Sequence, residues 1–351
     1  VRILLGEISS FKAVVIAKFL KMKYEGIFLV TYDYKKFTNK VHSKYSDKHL
    51  FIKKSNQNEY LVKLSECCKD EKIDIFLPVH SDFIGEIVKI KYLYGNTLDY
   101  LGTYDDYLML HNKQKLHKLA ESIGIDTPIS YKSYNESVIP FVCKPVNLSS
   151  SKGVKYFFNK EDKKKHSNSE FSDYIFQEYI EGFGCGYSVY AKNGVIISGY
   201  GHKRLAEFPI SGGTSVYRTG FYDDRMKDVA EKIFDKIKWT GFAMIEFKYT
   251  KDNRLVLIEV NPRIWGSINQ GLQNGINYFE PILGKSRFHV DNNNKKTFFS
   301  PFIYIIILKY IFNGNFRPFI TFIRNFKYNR ADVNFFNDPK GWLSLLLRKI
   351  L

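Results

Sequence analysis

Glu246, Glu259 and Asn261 have the types and spacing to hold a divalent cation. They fall in residues 241–263, GFAMIEFKYTKDNRLVLIEVNPR. Residues 241–249 and 254–261 are rich in β-branched and aromatic types. They read as two strands around the polar turn Thr250-Lys251-Asp252-Asn253. Pairing Tyr249 with Arg254 sets Ala243 opposite Val260, Ile245 opposite Ile258 and Phe247 opposite Val256 on one apolar face. Met244, Glu246, Leu257, Glu259 and Asn261 then share the other face. In that register Glu246 lies diagonal to Glu259, about 7–8 Å away between backbones, a gap two carboxylates can close onto one cation. Oxygen-only ligands suit Mg²⁺, and admit Mn²⁺, in preference to zinc. A solvated acidic strand would carry similar residues. The wholly apolar opposite face and the Asn-Pro-Arg that follows argue instead for a site.

A second group of residues could handle anions. Lys144 ends the apolar run 139–143 and precedes Pro145, a place from which it could point a charge at phosphates. Ser149, Ser150, Ser151, Lys152 and Gly153 form a small-residue loop whose backbone N–H groups could wrap phosphate oxygens, although most such loops are linkers. Residues 111–124 read as an amphipathic helix with Leu116, Leu119 and Ile123 at helical spacing, Lys113 near its start and Gly124 and Pro128 as stop signals. Residues 174–180 read as a strand. Residues 186–203 read as a hairpin with Lys192-Asn193-Gly194 at its turn. It leads to a cationic trio, His202-Lys203-Arg204, and then to Gly212 and Gly213. Arg204 could clamp a carboxylate there with its planar fork, helped by backbone donors of the two glycines; a solvated basic loop is the alternative.

These residues need a scaffold. Strands at 1–5, 26–30, 73–79 and 100–102 alternate with helices, the first at 11–22, which predicts a small parallel sheet with helices on both faces. Gly6-Glu7-Ile8-Ser9-Ser10 is no G-x-G-x-x-G, so no dinucleotide site is expected. His80, Ser81 and Asp82 follow a strand's carboxyl end, where such sheets bind ligands, although a loop-capping Asp82 is the plainer account. Residues 160–170 read as a charged surface segment and 223–238 as a helix. Residues 298–323 are apolar but broken by Pro301, Lys309, Asn313 and Pro318. Their longest uncharged run, about ten residues, is too short to span a bilayer, and they read as a buried helix pair or a Phe-rich interfacial one. Residues 341–351 read as a last amphipathic helix.

Together these motifs resemble the ATP-grasp ligases, in particular a carbamoyl phosphate synthase-like branch associated with surface polysaccharide modification. The resemblance covers about residues 1–280. A Glu on one strand followed by Glu-x-Asn-x-Arg on the next is that superfamily's metal hairpin, here Glu246, Glu259, Asn261 and Arg263. The resemblance implies that Arg263 lies near the transferred phosphoryl group and that Lys113 and Lys144 reach nucleotide phosphates. Asn112 stands where an Asp is usual before Lys113. The loop 149–153 would cover ATP, and Glu178, Tyr179 and Ile180 would form the hinge that pairs with adenine. The pattern departs at Gly182-Phe183-Gly184-Cys185-Gly186, which lacks the Glu that often holds the ribose hydroxyls. The implied fold is α/β and α+β: a Rossmann-like pre-ATP-grasp domain over 1–105, a small lid over 106–180, a large subdomain over 181–285 and a helical tail over 286–351. The implied chemistry is ATP- and Mg²⁺-dependent ligation of a small-molecule carboxylate to an amine through an acylphosphate, the acid an amino acid or sugar acid. Arg204 is the residue expected to hold that acid.

At 351 residues and 44% hydrophobic content the chain can fill a large core in two or three subdomains. A net charge of +17 attracts nucleic acid, anionic lipid or phosphorylated substrates. The lysines are scattered, and no helix-turn-helix, RNA-recognition or zinc signature accompanies them, so no specific nucleic acid and at most weak peripheral membrane contact are expected. A basic nucleic-acid binder and a nucleotide-binding regulator without turnover are the competing readings; a homodimer is compatible with each. Cys67, Cys68, Cys143 and Cys185 show no metal or C-x-x-C spacing, and Val1–Leu5 reads as a strand and not a signal peptide, which together fit a cytoplasmic protein.

Overall fold

The computed structural model describes residues 1–54, 56–79, 83–148, 153–210, 213–284 and 294–350. His80, Ser81, Asp82, Ser149, Ser150, Ser151, Lys152, Ser211 and Gly212 lie outside the described residues.

Strands β1 (Arg2–Leu5), β2 (Phe28–Asp33), β3 (Lys48–Phe51) and β4 (Ile75–Leu77) form a parallel sheet in the order β3-β2-β1-β4. The alternation of β1 decides which helix covers which face. Ile3 and Leu5 pack with α1 (Phe11–Lys23), and Leu4 packs with α2 (Gln57–Asp70). Each helix starts on a polar cap: Ser10 accepts from the Ala13 N–H, and Asn56 from the Glu59 N–H. Residues 100–102, expected as a strand, form a turn. The Gly102 N–H donates to the Thr240 carbonyl at 2.7 Å and the Tyr100 hydroxyl to the Phe76 carbonyl at 2.7 Å, so this segment bolts the first sheet to the rest of the molecule. Helices α3 (Ile84–Lys89), α4 (Tyr104–His111) and α5 (Lys113–Ser122) follow.

A four-stranded antiparallel sheet comes next, in the order β5-β8-β6-β7, from β5 (Ser130–Tyr131), β6 (Phe141–Pro145), β7 (Lys155–Phe157) and β8 (Tyr174–Glu178). Its core is aromatic: Tyr134, Phe141, Phe157, Phe171 and Phe176 around Cys143. The charged segment 160–170 opens as α6 (Lys160–Lys164), capped by Asn159 and without a buried residue.

The largest sheet has the order β13-β12-β9-β10-β11-β14-β15 among the described residues. It contains β9 (Phe183–Lys192), β10 (Val195–Phe208), β11 (Thr214–Gly220), β12 (Gly241–Tyr249), β13 (Leu255–Asn261), β14 (Lys296–Phe298) and β15 (Asn329–Ala331). The β9–β10 turn falls at Asn193 and Gly194, both with positive φ (48° and 85°), the requirement of a tight hairpin turn. Helix α7 (Asp224–Ile237) packs on β9 and β10, and α8 (Ile268–Gln273) and α9 (Glu280–Leu283) follow the β13 exit. The stretch expected as a helical tail also adds two strands to this sheet, between and around α10 (Ile303–Phe312), α11 (Arg317–Arg324) and α12 (Pro339–Ile350). The physical reason is a buried ion pair no periodicity could announce. Arg218 on β11 bonds Asp332 just after β15, and its Nε donates to Thr297 on β14 at 2.8 Å. Helix α12 returns to the first sheet, where Arg348 donates to Ser9 Oγ at 2.8 Å and to Glu7 at 2.9 Å. Among the described residues no helix is long and apolar enough to cross a membrane.

Candidate active site

The β12–β13 hairpin sets the site, with a register one residue from the expected one beside the turn and two residues from it at the glutamates. Thr250 N–H donates to the Arg254 carbonyl at 3.0 Å, so the loop is the three residues 251–253, closed by Asn253 at φ 67°. Tyr249 therefore pairs with Leu255 and Phe247 with Leu257. A β-bulge then absorbs Ile258, after which Glu246 pairs with Glu259, Ile245 with Val260 and Met244 with Asn261. The two glutamates thus stand directly opposite each other and not diagonally. Leu257, expected on the site's face, joins Ala243, Ile245, Phe247 and Val260 in the core; Ile258, expected in the core, lines a cleft.

Asn261 Nδ2 donates to Glu246 Oε1 at 3.0 Å and to Glu259 Oε1 at 3.1 Å, while its Oδ1 accepts from Arg263 Nη2 at 3.0 Å. The sequence expectation gave Asn261 an oxygen facing the cation; here its nitrogen faces the carboxylates, and a half-turn of the amide exchanges the two. One carboxylate oxygen from each strand converges on a single point, the arrangement a small hard cation requires. Burial pushes Glu259 up, but Lys113, the Asn261 amide and Lys144 outweigh it and hold the carboxyl below its usual range. Burial raises Glu246, partly offset by the Arg204 guanidinium bonded to it. No cluster of three or more His, Cys, Asp or Glu that could hold a metal occurs among the described residues. The all-oxygen pair fits Mg²⁺, which keeps positions for water and phosphate oxygens.

The cationic side is built by α5 and β6. Asn112, in place of the usual Asp, still caps α5: its Oδ1 accepts from Lys115 N–H at 3.0 Å. The buried face of α5 carries Lys113, Leu116, His117 and Ala120, so one stripe delivers apolar packing and two polar heads. Lys113 Nζ lies 3.6 Å from Glu259 Oε2 and donates to the Leu148 carbonyl at 2.5 Å. His117 Nε2 bonds the carbonyl of bulged Ile258 at 3.1 Å, its Nδ1 meets Gln177 Nε2 at 2.9 Å, and Gln177 Oε1 accepts from Lys144 Nζ at 3.1 Å. Burial lowers His117 to about 4, so the ring is neutral and can donate at Nε2 while accepting at Nδ1. Burial likewise lowers Lys144 to about 8, against the opposing pull of Glu259. Sequence reasoning did not find His117 or Gln177. The usable signal was His117 four residues after Lys113, on the same helical face.

The strand expected to end at 203 runs on to Phe208, so residues 202–204 all lie inside β10. His202 is buried against Ser267 Oγ at 3.2 Å and lowered by burial to about 3. Lys203 points the other way, over the rings of Phe183 and Phe221. Arg204 binds Glu246, Glu207 Oε1 (3.4 Å) and the Gly213 carbonyl (3.1 Å), and its buried Nε has no partner among the described residues. The Gly213 N–H, expected as a donor to substrate, is directed at Glu207 Oε2 at 3.3 Å. The glycine-rich departure at 182–186 gains a physical account here. A Cβ on Gly184 would stand 2.8 Å from Glu207 Oε1 and 3.0 Å from Arg204 Cδ, so the bare backbone of β9 leaves room for both. Glu207, absent from the sequence-derived set, is the carboxylate that occupies this space from the neighbouring strand.

Two cavities share Arg204, Glu246 and Glu259 in their walls. The narrower, about 110 Å³, lies between the small and large sheets and is also lined by Lys113, Lys144, Glu178, Tyr179, Ile180 and Glu207. Within it the Glu178 N–H and Tyr179 N–H are already engaged, by the carbonyls of Ile129 (2.9 Å) and Pro140 (3.2 Å). Gly153, at φ 72°, packs by Pro145 and Tyr174 and is not part of the lining. The wider cavity, about 530 Å³, has a polar end at Asn261, Arg263, Ser9 of the β1–α1 loop and Lys12 in the first turn of α1, and an apolar end at Phe302, Ile306 and Leu345. The β1–α1 loop was not expected at the site, although it lies at the carboxyl ends of parallel strands, where such sheets place ligands.

Residues 110–267 match the family model of an ATP-grasp domain. A curated relative, the D-alanine–D-alanine ligase of Fusobacterium nucleatum, is 28% identical over 160 residues, 43% of this chain and 55% of the relative; the chain thus spans about half the length of that protein. Among solved structures, biotin carboxylase from Campylobacter jejuni, in complex with β,γ-ATP, superposes with a TM-score of 0.66 at 14% identity, over 84% of this chain and 72% of that one. The L-amino acid ligase of Bacillus licheniformis gives 0.61 at 15%, over 81% and 72%. Identities this low establish the fold alone. The matched domain spans Lys113 to Arg263, so this part of the chain is similar to ATP-grasp domains, and the solved structures share its fold.

Proposed function

We propose that this protein is an ATP- and Mg²⁺-dependent carboxylate–amine ligase that forms a C–N bond and releases ADP and phosphate. The observation that carries the reading is that the two cavities meet at one carboxylate pair. Phosphoryl transfer between two bound molecules needs this: nucleotide on one side, acceptor on the other, and concentrated charge where they touch. Glu178, Tyr179 and Ile180 would border the adenine, and Lys144 and Lys113 would neutralise the phosphates; the loop 149–153 would cover them. Glu246, Glu259 and, after its amide turns, Asn261 would hold Mg²⁺. When bound, the metal would offset the negative charge of the phosphates.

The acid would enter the wider cavity. Its carboxylate oxygen attacks the γ-phosphorus and the bond to the bridging oxygen of ADP breaks; the amine nitrogen then attacks the acyl carbon of the resulting acylphosphate, the C–N bond forms as the C–O bond to phosphate breaks, and inorganic phosphate and the amine's proton leave. Arg204 and Arg263 would steady the carboxylate and the phosphoryl oxygens; a guanidinium fork matches both. The acid is proposed to be an amino acid or a sugar acid, and the setting the modification of a surface polysaccharide. The curated relative is named for joining two amino acids, which favours the amino-acid arm. The test is a screen of ATP-dependent phosphate release over amino acids and sugar acids, with and without amine. Release that needs an acid supports the reading; nucleotide binding with no release under any pair refutes it.

A further inference from the structure

We propose that the α10–α11 hairpin docks this protein on an anionic lipid surface. Both helices are apolar on the inside and again on the outside. Helix α10 buries Ile303, Ile306, Ile307 and Tyr310, yet leaves Tyr304, Leu308 and Phe312 exposed, Phe312 at 87%. Helix α11 buries only Pro318 and Phe322. Its outward stripe is Phe316, Phe319, Ile320 and Ile323, spaced i, i+3, i+4 and i+7, where a helix facing water would carry polar residues. Phe326, 74% exposed, continues the patch. A contiguous apolar surface of this kind marks an interaction site.

Charge selects the occupant. Residues 292–331 hold Lys295, Lys296, Lys309, Arg317, Arg324, Lys327 and Arg330 and not one carboxylate. The last five have no carboxylate partner among the described residues. A second copy docked on this face would bring cations against cations, a juxtaposition that costs affinity. An apolar stripe edged by unpaired Lys and Arg is instead the composition of a helix lying in the headgroup plane of an anionic bilayer. The helices are ten and eight residues long, far short of a span, so they would lie in the surface and not cross it. Ile305 and Lys309 of α10 also line the wider cavity, so docking places one wall of that cavity at the lipid boundary. The surface argument does not rest on the ligase reading.

The experiment sediments the full chain with phosphatidylcholine vesicles and with vesicles containing about one third phosphatidylglycerol. The chain is expected to pellet with the anionic vesicles alone and to be released as salt shortens the screening length. Phe319→Ser with Ile323→Ser, both exposed positions, should cut partitioning at least tenfold. Arg324→Gln with Lys327→Gln should do so on the order of tenfold or more, at about a factor of five per cation. If the serine pair fails to fold by circular dichroism, the glutamine pair decides. A wild type that stays in the supernatant with anionic vesicles overturns the proposal, as do folded variants that bind like wild type. Self-association through this face, or binding to poly-glutamate without vesicle binding, assigns the face to a second copy or to an acidic protein and equally overturns it.

Discussion

Lys144 gives the most discriminating test of the nucleotide side, because its charge is set by its surroundings and should be reset by phosphate. Burial lowers it from 10.5 to about 8, with Gln177 Oε1 as its bonded acceptor at 3.1 Å. In the free protein the ammonium is therefore mostly charged at pH 7, about half charged at pH 8 and mostly neutral at pH 9. The sign follows directly. A depressed lysine pKa means that the side chain gives up its charge above about pH 8, where a free lysine would keep it, and a bound triphosphate supplies the compensating anion and raises the pKa again. Binding ATP should accordingly take up a proton above pH 8, about half a proton at pH 8 and nearly one at pH 9. Affinity should fall up to tenfold per pH unit from about pH 8 toward 10.5, a limit of two to three powers of ten. The assay is calorimetric titration with ATP in buffers of different ionisation enthalpy. Lys144→Ala should lose on the order of ten- to a hundredfold in affinity at pH 7, the worth of one charge-assisted bond of about 1.5–3 kcal/mol. It should also abolish the proton uptake above pH 8. If the variant keeps the wild-type pH profile, Lys144 does not meet the phosphates and the relay through Gln177 and His117 positions nothing.

Three further outcomes follow from the same geometry. Arg204→Ala should lower kcat/KM for the acid on the order of ten- to a hundredfold, with a much smaller change in KM for ATP; steady-state kinetics with each substrate varied separates the two, and an effect confined to ATP moves Arg204 to the nucleotide site. Gly184→Ala puts a Cβ within 3.0 Å of Glu207 and Arg204, so turnover should fall severalfold or more while the melting temperature stays within a few degrees; unchanged turnover would mean that neither side chain needs its present position. Asp332→Ala strands the buried Arg218 guanidinium and should cost about 3–5 kcal/mol in denaturant unfolding; a cost below about 1 kcal/mol would mean that the tail strands do not depend on this pair.

Much of the site was legible because the periodicities carrying it are local. Alternation along β12 and β13 put Glu246, Glu259 and Asn261 on one face, and the strand-end position of Lys144 before Pro145 marked it without any tertiary knowledge. The register was not legible, since it turned on whether Thr250 belongs to the turn or to the strand. That choice was settled by one backbone bond to Arg254 and compensated by a bulge at Ile258. His117 and Gln177 escaped for a different reason: each is an ordinary helix or strand residue until the relay joins elements that lie 60 residues apart in the chain. Glu207 was hidden because its role depends on what β9 lacks, the side chain at Gly184. The tail shows the limit of composition. Its apolar content announced helices, and helices are there, but Lys296–Phe298 and Asn329–Ala331 become strands only because Arg218 offers Asp332 and Thr297 partners on the next strand.

The central claim is that Glu246 and Glu259 together hold a Mg²⁺ ion at the meeting point of nucleotide and acid. The most direct measurement is Mg²⁺-dependent phosphate release from ATP, in the presence of the best acid from the screen, by wild type and Glu259→Gln, together with the melting temperature of each. The account predicts Mg²⁺-dependent release by the wild type and a loss of at least a hundredfold in the variant. The fold should be retained, because the amide keeps the shape and a hydrogen bond to Asn261 but gives up a full ligand charge. Undiminished, Mg²⁺-dependent release by a folded Glu259→Gln protein would contradict it.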